Sequence, residues 1–135
     1  MRGLPWRVVI VVHANHPNEI DAPVAAALQT LRATGATLLN QSVLLAGVND
    51  EPATLAALSR TLHAAGTLPY YLHMPDAVAG TAHFAVTERT AVAILDRLAR
   101  ELPGYLVPRL VRETPGEEAK SVLAAGIRAP AAPFM

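Results

Sequence analysis

Lys120 is the only lysine in a chain whose Lys and Arg together number 11. Elsewhere arginine supplies the positive charge, as expected of an Ala- and Arg-rich chain from a GC-rich genome. A primary amine can attack a carbonyl and stay attached to it; a guanidinium cannot. Lys120 is therefore worth following, with an exposed surface lysine as the alternative. Two acids, Asp76 and Glu113, stand about one βα unit apart. By that spacing they end adjacent strands; taken alone they read as solvated loop acids. His13 and His16 stand three apart with Asn15 between them, and His73 precedes Asp76 by three. A metal held by His13 and His16 lacks a clear third ligand, so no metal site is assigned. Asn40, Gln41 and Ser42 are consecutive within a strand-like run and so occupy both of its faces. Left unpaired in an apolar core, each would cost roughly 1–3 kcal/mol. Backbone, water or a ligand must satisfy them.

The elements that position these residues repeat. Arg7 to Val12 is a short β-branched run and reads as a buried strand. Asp21 caps a helix with Pro23 in its first turn and an apolar stripe of Val24, Leu28 and Leu31; Gly35 ends it. Thr37 to Leu45 is a second strand. Asp50 or its neighbour starts a second helix, with Leu55, Leu58 and Leu62 inside and Gly66 at its end. Thr67 to Leu72 is a third strand, followed by a loop from His73 to Val86. Thr87 caps a third helix carrying Val92, Leu95 and Leu98, which Pro103-Gly104 stops. Tyr105 to Val111 is a fourth strand. Strand starts near 7, 37, 67 and 105 are the spacing of repeated βαβ units, so the strands are expected to run parallel. Both an open doubly wound sheet and a piece of a (β/α) barrel fit this pattern. In either, the C-terminal strand ends form the ligand edge, and the polar residues gather there.

Composition removes other classes. The formal net charge is zero and charged residues are 16% of the chain, which argues against a nucleic-acid or membrane-surface partner and against disorder. No cysteine is present, so no thiolate metal site or iron–sulfur cluster is ligated from within the chain. No apolar run approaches the ~20 residues of a membrane span. Met1 to Trp6 lacks the pattern of a signal peptide, and a cytoplasmic location is expected. Residues 1–113 form one unit; 114–135 form a loop carrying Lys120 and an Ala/Pro tail expected to be poorly ordered.

Five blocks carry a resemblance: His-Ala-Asn-His-Pro-Asn-Glu-Ile (13–20), Leu-Asn-Gln-Ser-Val-Leu-Leu-Ala-Gly-Val-Asn-Asp (39–50), Pro-Tyr-Tyr-Leu-His (69–73), His-Phe (83–84) and Gly-Tyr-Leu-Val-Pro (104–108). From about residue 7 to Lys120 the chain resembles the lysine 2,3-aminomutase family of radical S-adenosylmethionine enzymes, which also use pyridoxal phosphate. The segment 73–84 is most similar to the smaller branch, which makes (R)-β-lysine for modification of elongation factor P. Glu51 stands where the clostridial branch has a zinc-site cysteine. After Lys120 the family usually reads Thr-Pro-Leu, where this chain has Ser-Val-Leu.

The resemblance implies an α/β fold whose parallel βα repeats form the second half of a radical S-adenosylmethionine partial (β/α) barrel. The first half, with the CxxxCxxC ligands of a [4Fe–4S] cluster, would belong to an upstream segment or a second chain, and this chain alone would be inactive. Lys120 aligns with the lysine that links to pyridoxal phosphate. Asp76 and Glu113 align with the carboxylates that hold the side-chain ammonium of L-lysine. His13 and Gln41 align with residues contacting S-adenosylmethionine, and His73 lies where many relatives have Tyr, at the cofactor cavity. The implied reaction takes hydrogen from carbon 3 of lysine with a 5′-deoxyadenosyl radical and moves the amino group from carbon 2 to carbon 3. The competing reading is a stand-alone, non-catalytic α/β domain that binds pyridoxal phosphate or another ligand. The half-barrel reading also predicts open outer edges on the first and fourth strands.

Overall fold

A computed structural model describes residues 7–75, 85–113 and 120–124. Asp21 caps the first helix, α1 (Ala22–Ala33), by accepting a hydrogen bond from the Val24 amide at 3.0 Å. The second, α2 (Pro52–Ala64), starts after Glu51 without a side-chain cap, with proline in its first turn. In α3 (Glu88–Glu101) the Thr87 hydroxyl accepts from the Thr90 amide at 3.2 Å. Each cap satisfies amide groups that the first helical turn leaves without partners. The expected leucines are buried: Leu28 in α1, Leu55, Leu58 and Leu62 in α2, Leu95 and Leu98 in α3. Val24 and Val92, expected in the same stripes, are exposed instead. Ala91 and Ile94 supply the rest of the buried face of α3.

The strands are β1 (Val9–His13), β2 (Thr37–Val43), β3 (Thr67–His73), β4 (Arg109–Glu113) and β5 (Lys120–Ala124), in the order β1-β2-β3-β4-β5. The first four are parallel and β5 is antiparallel to β4. This order separates the two architectures that periodicity leaves open. A doubly wound sheet reverses its strand order at a switch point. Here each strand lies beside its predecessor, as in a barrel wall. Leu38, Leu72 and Leu110 of the sheet are buried in two clusters with side chains from α1, α2 and α3. The helices thus cover one face. On the other face, Val9, Val11 and Leu68 stay exposed, while towards β4 Val111 is fully buried.

Three sequence expectations are corrected. The fourth strand starts at Arg109 rather than Tyr105. Gly104–Leu106 forms a 3-10 turn, with Leu106 and Val107 amides donating back to Pro103 and Gly104; Leu106 and Val107 are drawn into the core, and Pro108 has no amide to give to a ladder. Lys120 opens a strand instead of lying in a loop, because Lys120–Ala124 finds a partner edge on β4. That pairing also occupies the outer edge of β4, which was expected to be open, so the edge strands of the described sheet are β1 and β5. The loop 114–119 and the tail 125–135 lie outside the described residues. Among the described residues, no helix is long and apolar enough to cross a membrane.

Candidate functional site

His13 is the last residue of β1, His73 the last of β3 and Glu113 the last of β4. Gln41 lies two residues before the end of β2. The sheet therefore gathers four of the sequence-derived candidates at its C-terminal edge. The ladder adds a finer order. His13 pairs with Gln41, Gln41 with Tyr71, and Tyr71 with Arg109. One transverse row thus crosses four strands, and alternation puts it on the face away from the helices. The next row on that face is Val43, His73 and Val111. Beyond Val111, Glu113 pairs with Lys120 across the β4–β5 ladder. Asp76 lies outside the described residues, three positions past His73.

A bulge in β3 sets the row. Asn40 pairs with Pro69, but Gln41 pairs with Tyr71, so Tyr70 is the extra residue. Bulges re-aim side chains and are common at barrel rims and beside active sites. Here the Tyr70 and Tyr71 rings lie 4.1 Å apart, and Tyr71 meets the His73 ring edge-on at 5.7 Å.

An asparagine network holds the loops beneath these residues. The Ala14 amide donates to Asn40 Oδ1 at 2.9 Å, and Asn40 Nδ2 donates to the Ala14 carbonyl at 3.1 Å. The Val43 amide donates to Asn15 Oδ1 at 2.9 Å. Asn49 Nδ2 donates to the carbonyls of Asn15 and Val43 at 2.8 and 2.9 Å, and its Oδ1 accepts from the Leu45 amide at 2.8 Å. Of the alternatives for Asn40, backbone satisfaction is the one observed. Asn15, Asn40 and Asn49 are clamps that fix where β1 and β2 end, and hence where His13 and Gln41 stand. His16 is likewise occupied locally, its Nδ1 accepting from the Asn18 amide at 3.1 Å. Among the described residues, no group of three or more His, Cys, Asp or Glu could hold a metal ion.

The opposite end of the sheet is different in kind. A cleft there is lined by Gln29, Arg32, His63, Gly66 and Leu68, among others. Arg32 and His63 sit in the last turns of α1 and α2, and the Arg32 charge suits the helix dipole there. That end reads as structural. Sequence reasoning missed Tyr71 and Arg109 as members of the row. Their strands were expected, but the register that aligns them depends on the bulge.

The residues at the C-terminal edge fit two of the groups expected from sequence. A primary amine at position 120 suits pyridoxal phosphate, and His13 beside Gln41 supplies hydrogen-bonding groups for S-adenosylmethionine. An iron–sulfur cluster does not fit, because no residue of the chain is a cysteine.

No family model matches the chain. It is 50% identical over 118 residues to the L-lysine 2,3-aminomutase of Haemophilus influenzae, covering 87% of this chain and 35% of that protein. It is 50% identical over 117 residues to the L-lysine 2,3-aminomutase of Escherichia coli, covering 87% and 34%. Against the enzyme of Clostridium subterminale the identity is 38% over 109 residues, covering 81% and 26%. The chain thus spans about a third of the length of the first two relatives. In fold it is similar to a radical SAM methyltransferase from Sphaerobacter thermophilus, with a TM-score of 0.54 at 21% identity, covering 82% of this chain and 35% of that one.

Proposed function

We propose that this chain, a relative of the L-lysine 2,3-aminomutases over most of its own length, is the substrate-side part of a cytoplasmic enzyme converting L-α-lysine to (R)-β-lysine. The observation that carries the reading is 50% identity over 87% of the chain. The higher identity to the Haemophilus and Escherichia relatives than to the clostridial one supports the smaller branch, whose product modifies elongation factor P. The cluster ligands, with the other half of the barrel, then come from a further segment or a second chain.

In this reading Lys120 holds pyridoxal phosphate through its amine. Asp76 and Glu113 hold the side-chain ammonium of lysine, and the distance between that clamp and Lys120 selects a substrate of lysine's length. His13 and Gln41 donate and accept hydrogen bonds to the polar groups of S-adenosylmethionine, and His73 lines the cavity between them. The two cofactors, when bound, supply radical initiation and electron delocalisation; the protein orients and shields the reacting carbons. The Asn15–Asn40–Asn49 network keeps the S-adenosylmethionine side of the edge rigid. Covering the exposed Val9, Val11 and Leu68 face would exclude water from the reaction.

The test is a chimera in which this chain replaces the matching portion of the Escherichia coli aminomutase. Formation of β-lysine from lysine is expected, with loss of activity on Lys120→Arg. A folded chimera that binds S-adenosylmethionine yet makes no β-lysine would overturn the proposal. The stand-alone reading has one observation in its favour: β5, from this same chain, already occupies the outer edge of β4. It predicts a monodisperse dimer that binds pyridoxal phosphate and gains no activity in the chimera.

A further inference from the structure

The row His13–Gln41–Tyr71–Arg109 contains one full positive charge, and nothing in the reading above uses it. We propose that Arg109 anchors the anionic group, a carboxylate or a phosphate, of a small-molecule ligand lying across this row. The inference rests on the proposal that the face away from the helices is where ligands bind.

Three observations point to Arg109. Its position on the ladder is opposite Tyr71, so strand alternation puts it on the same face as His13 and Gln41. It is the arginine of the row, and its charge is unpaired among the described residues, as are those of Arg7, Arg32, Arg60 and Arg89. Arg97, Arg100 and Arg112 each pair with a carboxylate at 3.7, 3.0 and 3.1 Å, on or beside a helix. Among the described residues, Arg109 has no ion-pair partner. Finally, the extra residue at Tyr70 is what brings Tyr71 level with Gln41. Without the bulge, continuation of the Asn40–Pro69 register would set Gln41 against Tyr70 and displace the row.

The energetics favour a ligand anion once the face is covered. A guanidinium withdrawn from water without a counter-charge costs several kcal/mol, so a covered Arg109 requires an acid. Glu113 lies four residues further along the same strand, about 13 Å of strand rise away, and in the proposed function it holds an ammonium. Planar, bidentate donation suits arginine to carboxylate and phosphate alike. The Tyr71 ring beside it offers a surface for the body of the same ligand.

Calorimetric titration of this chain at low ionic strength tests the proposal with two pairs of probes. Pyridoxal phosphate and pyridoxal differ by a phosphate. S-adenosylmethionine and its decarboxylated form differ by the carboxylate. The chain should bind the member that carries the anionic group, in one pair, at least several-fold more tightly. Arg109→Gln should abolish that preference while leaving affinity for the anion-free member unchanged, and Arg109→Lys should restore part of it. The pair that responds identifies phosphate or carboxylate. Equal affinity within both pairs, or a preference that survives in a folded Arg109→Gln variant, would overturn the proposal. Lys120→Arg run in parallel separates the two claims: it removes covalent attachment of both aldehydes but leaves the Arg109-dependent preference for S-adenosylmethionine, or for non-covalently bound phosphate, in place.

Discussion

Glu113 and Lys120 are register partners in the antiparallel β4–β5 pair. One is the expected ammonium holder and the other the amine expected to link to pyridoxal phosphate. The two backbone positions thus face each other across one ladder.

Lys120→Arg keeps the charge and removes the primary amine. The chain should therefore fold with unchanged stability, within about 0.5 kcal/mol, and lose the long-wavelength absorbance that pyridoxal phosphate gains on attachment to lysine. Glu113→Gln should retain that absorbance. In the chimera it should weaken lysine binding by ten-fold or more, since a charge-assisted contact worth about 1.5–3 kcal/mol is lost. Absorbance spectra and KM for lysine separate the two.

Asn40→Ala would strand the amide and carbonyl of Ala14, both of which now bond to the Asn40 side chain. With unsatisfied buried groups costing about 1–3 kcal/mol each, a loss of about 2–4 kcal/mol in urea unfolding is expected. S-adenosylmethionine affinity should fall too, because the end of β1 that carries His13 is no longer fixed. Unchanged affinity in a folded variant would show that the clamp does not position His13.

Gly66→Ala tests the closed end of the sheet. Gly66 has φ +79°, and an added Cβ would collide with Cδ of Arg32. A non-glycine residue there is strained and costs on the order of 1–3 kcal/mol. Arg32→Ala in the same chain should recover the steric part but not the backbone part, so the double variant should be less destabilised than the sum of the singles. Ligand binding at the other end should not change.

Leu98→Ala is the control for the core. Leu98 is fully buried in the larger cluster, and a loss of about 2–5 kcal/mol is expected. Chemical denaturation measures it, and attachment of pyridoxal phosphate under native conditions should persist.

Much of the fold was legible because its signals are local. Asp21, Pro52 and Thr87 mark helix starts, and Gly35 and Gly66 mark ends with positive φ. The periodicity of Leu55, Leu58 and Leu62 needs no tertiary knowledge. What was not legible depends on pairing. Residues 120–124 have no strand signature of their own until β4 offers an edge, and the Tyr70 bulge exists only relative to β2. The candidate site shows the same division. His13, His73 and Glu113 could be assigned to strand ends from sequence and Gln41 to the second strand, whereas Tyr71 and Arg109 join them only through register. Asn40, for which backbone, water and ligand were all open, is satisfied by the backbone of Ala14.

Attachment of pyridoxal phosphate to the side chain of Lys120 is the central claim, and one measurement reaches it directly. The chain is incubated with pyridoxal phosphate, reduced with borohydride to make any amine linkage permanent, and digested for peptide mass spectrometry. Lys120 is the only lysine, so the α-amino group of Met1 is the internal competitor. The account predicts the reduced adduct on Lys120, displaced by neither salt nor dilution before reduction. An adduct confined to the α-amino group, or no adduct on a folded chain, would contradict it.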